Sequence, residues 1–272
     1  MRSEDLSIAF IGGGNMASAL VSGLAGKLCP IGNIHVVEVN DDLREAWRAR
    51  GASVSAEPDE ALANCQVWVY AVKPQVMKAV AIATEPFLRD SLVISIAAGI
   101  RAADLARWLS ATRLVRCMPN TPSLIGAGIS GLAALPGTPD ADRELAGQIL
   151  ASVGEVVWVQ EESQLDGVTA LSGSGPAYVF LMIEALIEGG LAVGLDAAQS
   201  RALALATMSG ATRLAAESNE LPSLLRERVT SKGGTTAAAL AVMEQDGFKA
   251  TVVRAMQAAA DRAHEMGDEF GN

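Results

Sequence analysis

The chain is poor in the residues that staple small folds or hold metals. Its 272 residues include three cysteines, Cys29, Cys65 and Cys117, and two histidines, His35 and His264. The cysteines form no CxxC pair and lie in apolar runs, where cysteine acts as a small hydrophobe. Disulfides and a bound metal are therefore not expected, and a reducing compartment is. Neither histidine falls in a pattern that assigns it a role.

Positive charge is also scarce, with 21 lysines and arginines against 31 aspartates and glutamates and a net charge of −10. Without a basic face there is nothing to neutralise a phosphate backbone, which argues against a nucleic-acid partner. Aromatic residues make up 4% of a chain that is 50% hydrophobic. That composition points to an Ala/Leu/Val core with closely approaching helices, of the kind that continues across oligomer interfaces.

Long uninterrupted hydrophobic runs are missing too. The most apolar stretch, residues 177–195, contains Glu184, Glu188, Gly189 and Gly190, which a bilayer-spanning helix carries only at high cost. A buried protein helix and no membrane association are expected. The opening MRSEDLSIAF has neither the apolar core nor the small-residue cleavage site of a signal peptide, so a cytoplasmic location is expected.

What is present is an alternation of short apolar runs with helical patterns. Residues 6–11, 34–39, 67–72, 92–96 and 113–117 are short, mostly apolar runs without regular alternation, as strands of a parallel sheet covered on both faces are. Residues 15–24 and 41–50 have helical spacing, the second closed by Gly51. Parallel neighbours need crossovers, so the pattern predicts an α/β, Rossmann-type doubly wound sheet. Beyond Gln160 the chain turns to Ala/Leu/Met-rich helical patterns with no convincing strand. The expected domains are 1–161, binding a dinucleotide, and 162–272, all helical.

Gly12-Gly13-Gly14-Asn15-Met16-Ala17 fits G-x-G-x-x-A after a strand ending at Ile11 and at the opening of a helix, the context a dinucleotide fingerprint requires. Its exposed N–H groups and positive helix end suit a pyrophosphate. The second strand runs into Glu38-Val39-Asn40-Asp41. An acid there pairs with a ribose 2′-hydroxyl and favours NADH; alternatively Glu38 turns away and Asn40 with Arg44 receives a 2′-phosphate.

Further glycine- or proline-punctuated segments fall where strands end: Ala71-Val72-Lys73-Pro74, Ser95-Ile96-Ala97-Ala98-Gly99 and Arg116-Cys117-Met118-Pro119-Asn120-Thr121-Pro122. With Leu171-Ser172-Gly173-Ser174-Gly175-Pro176-Ala177-Tyr178 and Val229-Thr230-Ser231-Lys232-Gly233-Gly234-Thr235-Thr236, they closely resemble the pyrroline-5-carboxylate reductase family, from residue 8 to residue 266. One departure is Lys232, where many members have proline, which bears on the stiffness of that loop.

The resemblance implies a C-terminal helical domain that dimerises, in some members into rings of dimers. It also implies reduction of the cyclic imine 1-pyrroline-5-carboxylate to L-proline by NADPH, with NADH left open by Glu38. Ile11, Gly12, Gly13, Gly14, Asn15, Met16, Asn40, Ala71, Val72, Lys73, Pro74, Ala97, Ala98 and Gly99 match positions around the cofactor. Ser231, Lys232, Gly233, Gly234, Thr235 and Thr236 match the substrate loop, with Asn120 a further candidate and Thr236 the catalytic one, holding the ring nitrogen and relaying its proton.

These residue types suit that chemistry. A protonated imine is already a strong hydride acceptor, so the protein contributes mainly closeness and orientation. The substrate carboxylate needs several donors, which hydroxyls and N–H groups at a helix start supply without cations. Bland readings accompany each assignment: Thr235 or Thr236 as a helix cap, Asn120 as a turn residue, Lys73 as a solvated side chain, and Ser172–Pro176 as a helix start. A hydroxyacid dehydrogenase or imine reductase would place a lysine or aspartate early in the second domain, yet no lysine lies between Lys78 and Lys232. A non-catalytic nucleotide sensor would not need the Ser231–Thr236 loop.

Overall fold

The computed structural model describes residues 6–271; the first five residues, part of the basis for expecting no export, lie outside it. An eight-stranded sheet has the order β3-β2-β1-β4-β5-β6-β7-β8. Its strands are β1 (Ile8–Ile11), β2 (Ile34–Val37), β3 (Ser53–Ser55), β4 (Val67–Tyr70), β5 (Leu92–Ser95), β6 (Leu114–Met118), β7 (Gly128–Ala134) and β8 (Gly154–Trp158). All pairings are parallel except β6 with β7. The Rossmann-type expectation holds, with that one antiparallel edge added.

The mostly apolar runs have the predicted cause. On β1, Ile8 and Phe10 enter a core cluster with Leu20, Val36 and Ile94, while Ala9 and Ile11 enter a separate one with Trp68, Tyr70 and Leu105. Successive side chains alternate between sheet faces, and helices cover both. Each large side chain removed from water here contributes about 1.5–3 kcal/mol.

The covering helices are α1 (Asn15–Leu24), α2 (Asp41–Arg50), α3 (Pro74–Thr84), α4 (Ala102–Leu109) and α5 (Asp140–Ala151). Helix α2 shows why its bounds fall where they do. Asn40 Oδ1 accepts the Leu43 N–H at 2.9 Å, Asp41 and Asp42 occupy the first turn, Arg48 and Arg50 the last, and Gly51 closes it at φ +94°. Each feature satisfies a terminal backbone group or complements the helix dipole.

After β8 come α6 (Gln164–Val168), a π turn (Thr169–Gly173), α7 (Gly175–Ala192), α8 (Ala197–Glu217), α9 (Pro222–Arg228), α10 (Thr235–Gln245) and α11 (Phe248–Phe270). By Cα packing, one compact unit comprises the residues through Ser174 together with those from Ala258 onward, and the other is Gly175–Gln257. The second unit has helices and connecting turns and no strand among the described residues. Helix α8 opens on a reciprocal capping box between Asp196 and Gln199, and a Cβ on Gly190 of α7 would come within 2.6 Å of Ser200 Oγ on α8. That glycine permits the close crossing of the two helices.

One expectation is corrected. The apolar stretch around α7 is not buried within a single chain: no α7 residue is buried, and Phe180 and Leu181 are 59% and 66% exposed. Its apolar residues surround the helix, while α8 covers only one side. Residues Gln164–Ala192 form the one helical stretch among those described that is long and apolar enough to cross a membrane by length and composition.

Candidate active site

The strand order sets the carboxyl ends of β2, β1, β4, β5 and β6 side by side on one edge. In open α/β sheets ligands bind outside such an edge, where the strand order reverses, here between β1 and β4. Gly12–Met16 follow β1, Asn40 follows β2, Ala71–Pro74 follow β4, Ala97–Gly99 follow β5, and Asn120 follows β6. The sheet therefore brings these predicted residues together.

The glycine turn is braced from below and open above. Gly12 has φ +98°, its N–H donates to the Val37 carbonyl at 2.9 Å, and a Cβ there would lie 2.8 Å from the Ala71 carbonyl oxygen. Only glycine meets both demands. At Gly13 the N–H donates to Glu38 Oε2 at 2.8 Å, and the carbonyl accepts the Trp47 indole N–H at 2.9 Å. A Cβ on Gly14 would meet nothing within 4 Å. Gly14 is the N-cap of α1, which has no side-chain cap and no acid in its first turn, while Ala17 is fully buried beneath. An uncapped helix start beneath clear space fits the pyrophosphate of a dinucleotide.

The neighbouring walls are held by specific contacts. The Ala71 N–H donates to the Ile11 carbonyl at 2.8 Å, and Lys73 is held extended before Pro74 with its side chain exposed. Gly99 has φ +70°, and a Cβ there would come within 2.6 Å of Met266 Cβ on α11. Arg101 pairs with Asp268 at 2.5 Å. Buried Arg116 donates to Glu162 Oε1 at 2.9 Å, and the same oxygen accepts the Ala102 N–H at 2.7 Å. The end of α11 and the segment before α6 thus clamp the loop that follows β5.

Asn120 is engaged in the framework. Its Oδ1 accepts the Ile129 N–H at 3.0 Å and its Nδ2 donates to the Ser172 carbonyl at 3.1 Å. In a regular α-helix that carbonyl would accept from residue 176, but Pro176 has no N–H. The Asn120 amide replaces it. The local backbone widens into the π turn, with the Ser174 N–H donating to the Thr169 carbonyl at 2.8 Å. After a bend at Ser174, α7 starts at Gly175 with Pro176 in its first turn, so the reading of this segment as a helix start holds, with α6 and the π turn leading into it. A substrate contact from Asn120 would have to use the second Nδ2 hydrogen.

In the helical unit, residues 229–234 join α9 to α10, whose first two residues are Thr235 and Thr236. Gly233 has φ +72°, the Gly234 N–H donates to the Ser231 carbonyl at 3.0 Å, and Gly234 is the N-cap of α10 with no side-chain cap. Neither threonine hydroxyl caps the helix, so that bland reading is excluded. Ser231, Lys232 and Thr235 are exposed and Thr236 is half-buried. The loop offers hydroxyls beside an uncapped helix start, as a carboxylate requires.

Sequence reasoning missed the Trp47 brace, the π turn and the return of α11 to the sheet. Trp47 could have been found as the lone aromatic in a polar helix. It did not single out the thiol of Cys117, on β6 near Asn120, as a nucleophile; burial pushes its pKa strongly upward, so it is not one.

Comparison with known proteins agrees with this geometry. Residues 162–266 match the family described as pyrroline-5-carboxylate reductase dimerisation, and residues 7–99 match NADP oxidoreductase, coenzyme F420-dependent. A pyrroline-5-carboxylate reductase from Pseudomonas aeruginosa is 43% identical over 97% of this chain and 98% of its own. The solved pyrroline-5-carboxylate reductase of Coxiella burnetii superposes with a TM-score of 0.90 at 37% identity, covering 97% of this chain and 99% of that one. A Plasmodium falciparum pyrroline carboxylate reductase with NADP bound gives 0.87 at 31% identity, with 97% and 99% covered. On identity across almost its full length, the chain belongs to the pyrroline-5-carboxylate reductase family.

Proposed function

We infer that the chain reduces 1-pyrroline-5-carboxylate to L-proline, the last step of proline biosynthesis, with NADP(H) as its cofactor. The observation that carries this reading is the pair of uncapped helix starts behind glycine turns, α1 at Gly14 and α10 at Gly234. The first suits the cofactor's pyrophosphate and the second the substrate's carboxylate.

When bound, the cofactor supplies the hydride. Gly12–Met16 hold its pyrophosphate, Asn40 its adenosine end, and Ile11 with the backbones of Ala71–Pro74 and Ala97–Gly99 form the wall along it. Ser231, Lys232, Gly233, Gly234 and Thr235 receive the carboxylate. The Thr236 hydroxyl holds the ring nitrogen and relays its proton, keeping the imine carbon electrophilic. Asn120 serves the framework first and reaches the substrate only through its remaining hydrogen. No strong acid is needed, because orientation accounts for most of the acceleration.

The working domain boundary lies between residues 161 and 162, supported by the start of the dimerisation-family match at 162. The chain associates with itself through the helical unit, whose exposed apolar residues include Phe180, Leu181 and Leu214. Dimers form, with rings of dimers as the higher assembly, in the cytoplasm and away from membranes.

Thr236→Ala and Thr236→Ser test the assignment. Alanine lowers kcat by about tenfold to a hundredfold, the range of one hydrogen bond made in the transition state, and serine restores most of it. Equal kcat in all three proteins removes Thr236 from the mechanism.

A further inference from the structure

The middle of the glycine turn is held by a side chain from another element. Trp47, on α2, is 3% exposed and donates its indole N–H to the Gly13 carbonyl at 2.9 Å. Arg50 lies over the indole, its Cζ 4.2 Å from the ring centroid, and its guanidinium continues to Ser18 Oγ at 2.8 Å and Ser22 Oγ at 3.1 Å on α1. Stacking and hydrogen bonds together fix the ring in orientation between the turn and the first helix.

The bond falls on the peptide whose direction governs anion binding. In a trans peptide the C=O and N–H point opposite ways, so a Gly13 carbonyl turned toward the indole turns the Gly14 N–H away from it. That N–H bonds no group among the described residues, and α1 behind it has no side-chain cap. Rotating this peptide changes ψ of Gly13 and φ of Gly14, and between two glycines the rotation meets little steric resistance. Glu38 holds the preceding peptide through the Gly13 N–H at 2.8 Å and does not reach this one. Trp47 supplies the missing restraint.

Glycine stands at position 13 for the same reason. Gly12 has φ +98°, but Gly13 lies outside the left-handed region, and the dinucleotide fingerprint makes no demand on the middle residue. A Cβ there would nevertheless lie 2.5 Å from Trp47 Nε1 and 3.0 Å from Trp47 Cδ1, while Val36 Cγ1, at 3.1 Å, has only to give slightly. Gly13 and Trp47 are a matched pair, in which the absent side chain admits the indole.

We propose that Trp47 is a positioning residue for the dinucleotide: by holding the Gly13 carbonyl it fixes the 13–14 peptide in the orientation that presents the Gly14 N–H to the pyrophosphate. It acts through Gly13 and not by contact with the cofactor, and this rests on reading Gly12–Met16 as the dinucleotide turn.

The test compares full-length wild type with Trp47→Phe, which keeps an aromatic ring beneath Arg50 and removes the donor. NADPH affinity is read from nicotinamide fluorescence without imine, and adenosine 2′-phosphate, which has no pyrophosphate, is read by competition against NADPH. Trp47→Phe is expected to weaken NADPH by about fivefold to tenfold, the loss of one hydrogen bond, and to leave adenosine 2′-phosphate within about twofold of wild type. In turnover, KM for NADPH rises while kcat holds, as loss of uniform binding requires. A second comparison is steric: Gly13→Ala weakens NADPH by about fivefold or more beside Trp47 and by less than about twofold in a Trp47→Leu background, a coupling that a double-mutant cycle reads. Unchanged NADPH affinity in Trp47→Phe, an equal loss for both ligands, or a Gly13→Ala loss that is the same in both backgrounds overturns the proposal and leaves Trp47 as packing for α2. Wild type that binds no NADPH refutes the cofactor reading of the turn and the proposal with it, whereas the expected shifts without imine reduction support Trp47 and refute the reductase reading.

Discussion

Asn120 and Pro176 form a compensating pair. The proline removes a helix donor, and the asparagine on a distant turn supplies one to the same Ser172 carbonyl. Asn120→Ala leaves that carbonyl and the Ile129 N–H unsatisfied and should cost about 2–4 kcal/mol in urea unfolding. Pro176→Ala restores an N–H to the ladder, so Asn120→Ala should cost about 1 kcal/mol less in that background, and a double-mutant cycle reads the difference. Additive losses would show that the amide does not replace the missing donor. Nothing in the sequence distinguishes this Asn from a turn residue, because its partner lies 52 positions away. Gly12, by contrast, was legible, since one glycine-specific turn at the end of one strand is a local event.

At the scale of elements, legibility followed burial. Strands β1, β2, β4, β5 and β6 are buried on both faces and were read from short, mostly apolar runs. Strand β3, Ser53–Ser55, and strand β7, GISGLAA, escaped because most of their residues are small or polar. The β2–β3 pairing also carries a pH dependence. His35 bonds both Ser53 and Ser55, and its burial lowers its pKa despite Asp59 at 3.6 Å. Below the ordinary value of 6.5 the unfolded imidazole takes up a proton that the folded one resists. This contribution is therefore complete above that pH and is lost as pH falls below it. His35→Asn should flatten the slope of Tm against pH between about 5 and 6.5. An unchanged slope would assign it to the carboxylates. The return of α11 was illegible because its contacts, Met266 on Gly99 and Gly267 against Arg101, join distant parts of the chain.

For the whole molecule, the apolar surface of α7 has a single economical explanation. A helix with Phe180 and Leu181 more than half exposed is expected to meet a second copy of the chain, as the dimerisation-family match implies. Leu181 is 66% exposed in its own chain, and Leu181→Asp should convert dimer to monomer in analytical ultracentrifugation. A variant that still sediments as a dimer would move the interface off this helix. The helical unit was legible as an all-helical region, but the face it leaves uncovered was not, since single-sequence periodicity does not say whether an apolar stripe meets its own chain or another.

The most direct measurement of the central claim is a single turnover of pyrroline-5-carboxylate by the purified chain with NADPH deuterated at the transferable nicotinamide position. The account predicts stoichiometric proline carrying one deuterium on the ring carbon that was double-bonded to nitrogen. NADPH that binds but is not oxidised by the imine, or is oxidised without deuterated proline, would contradict it.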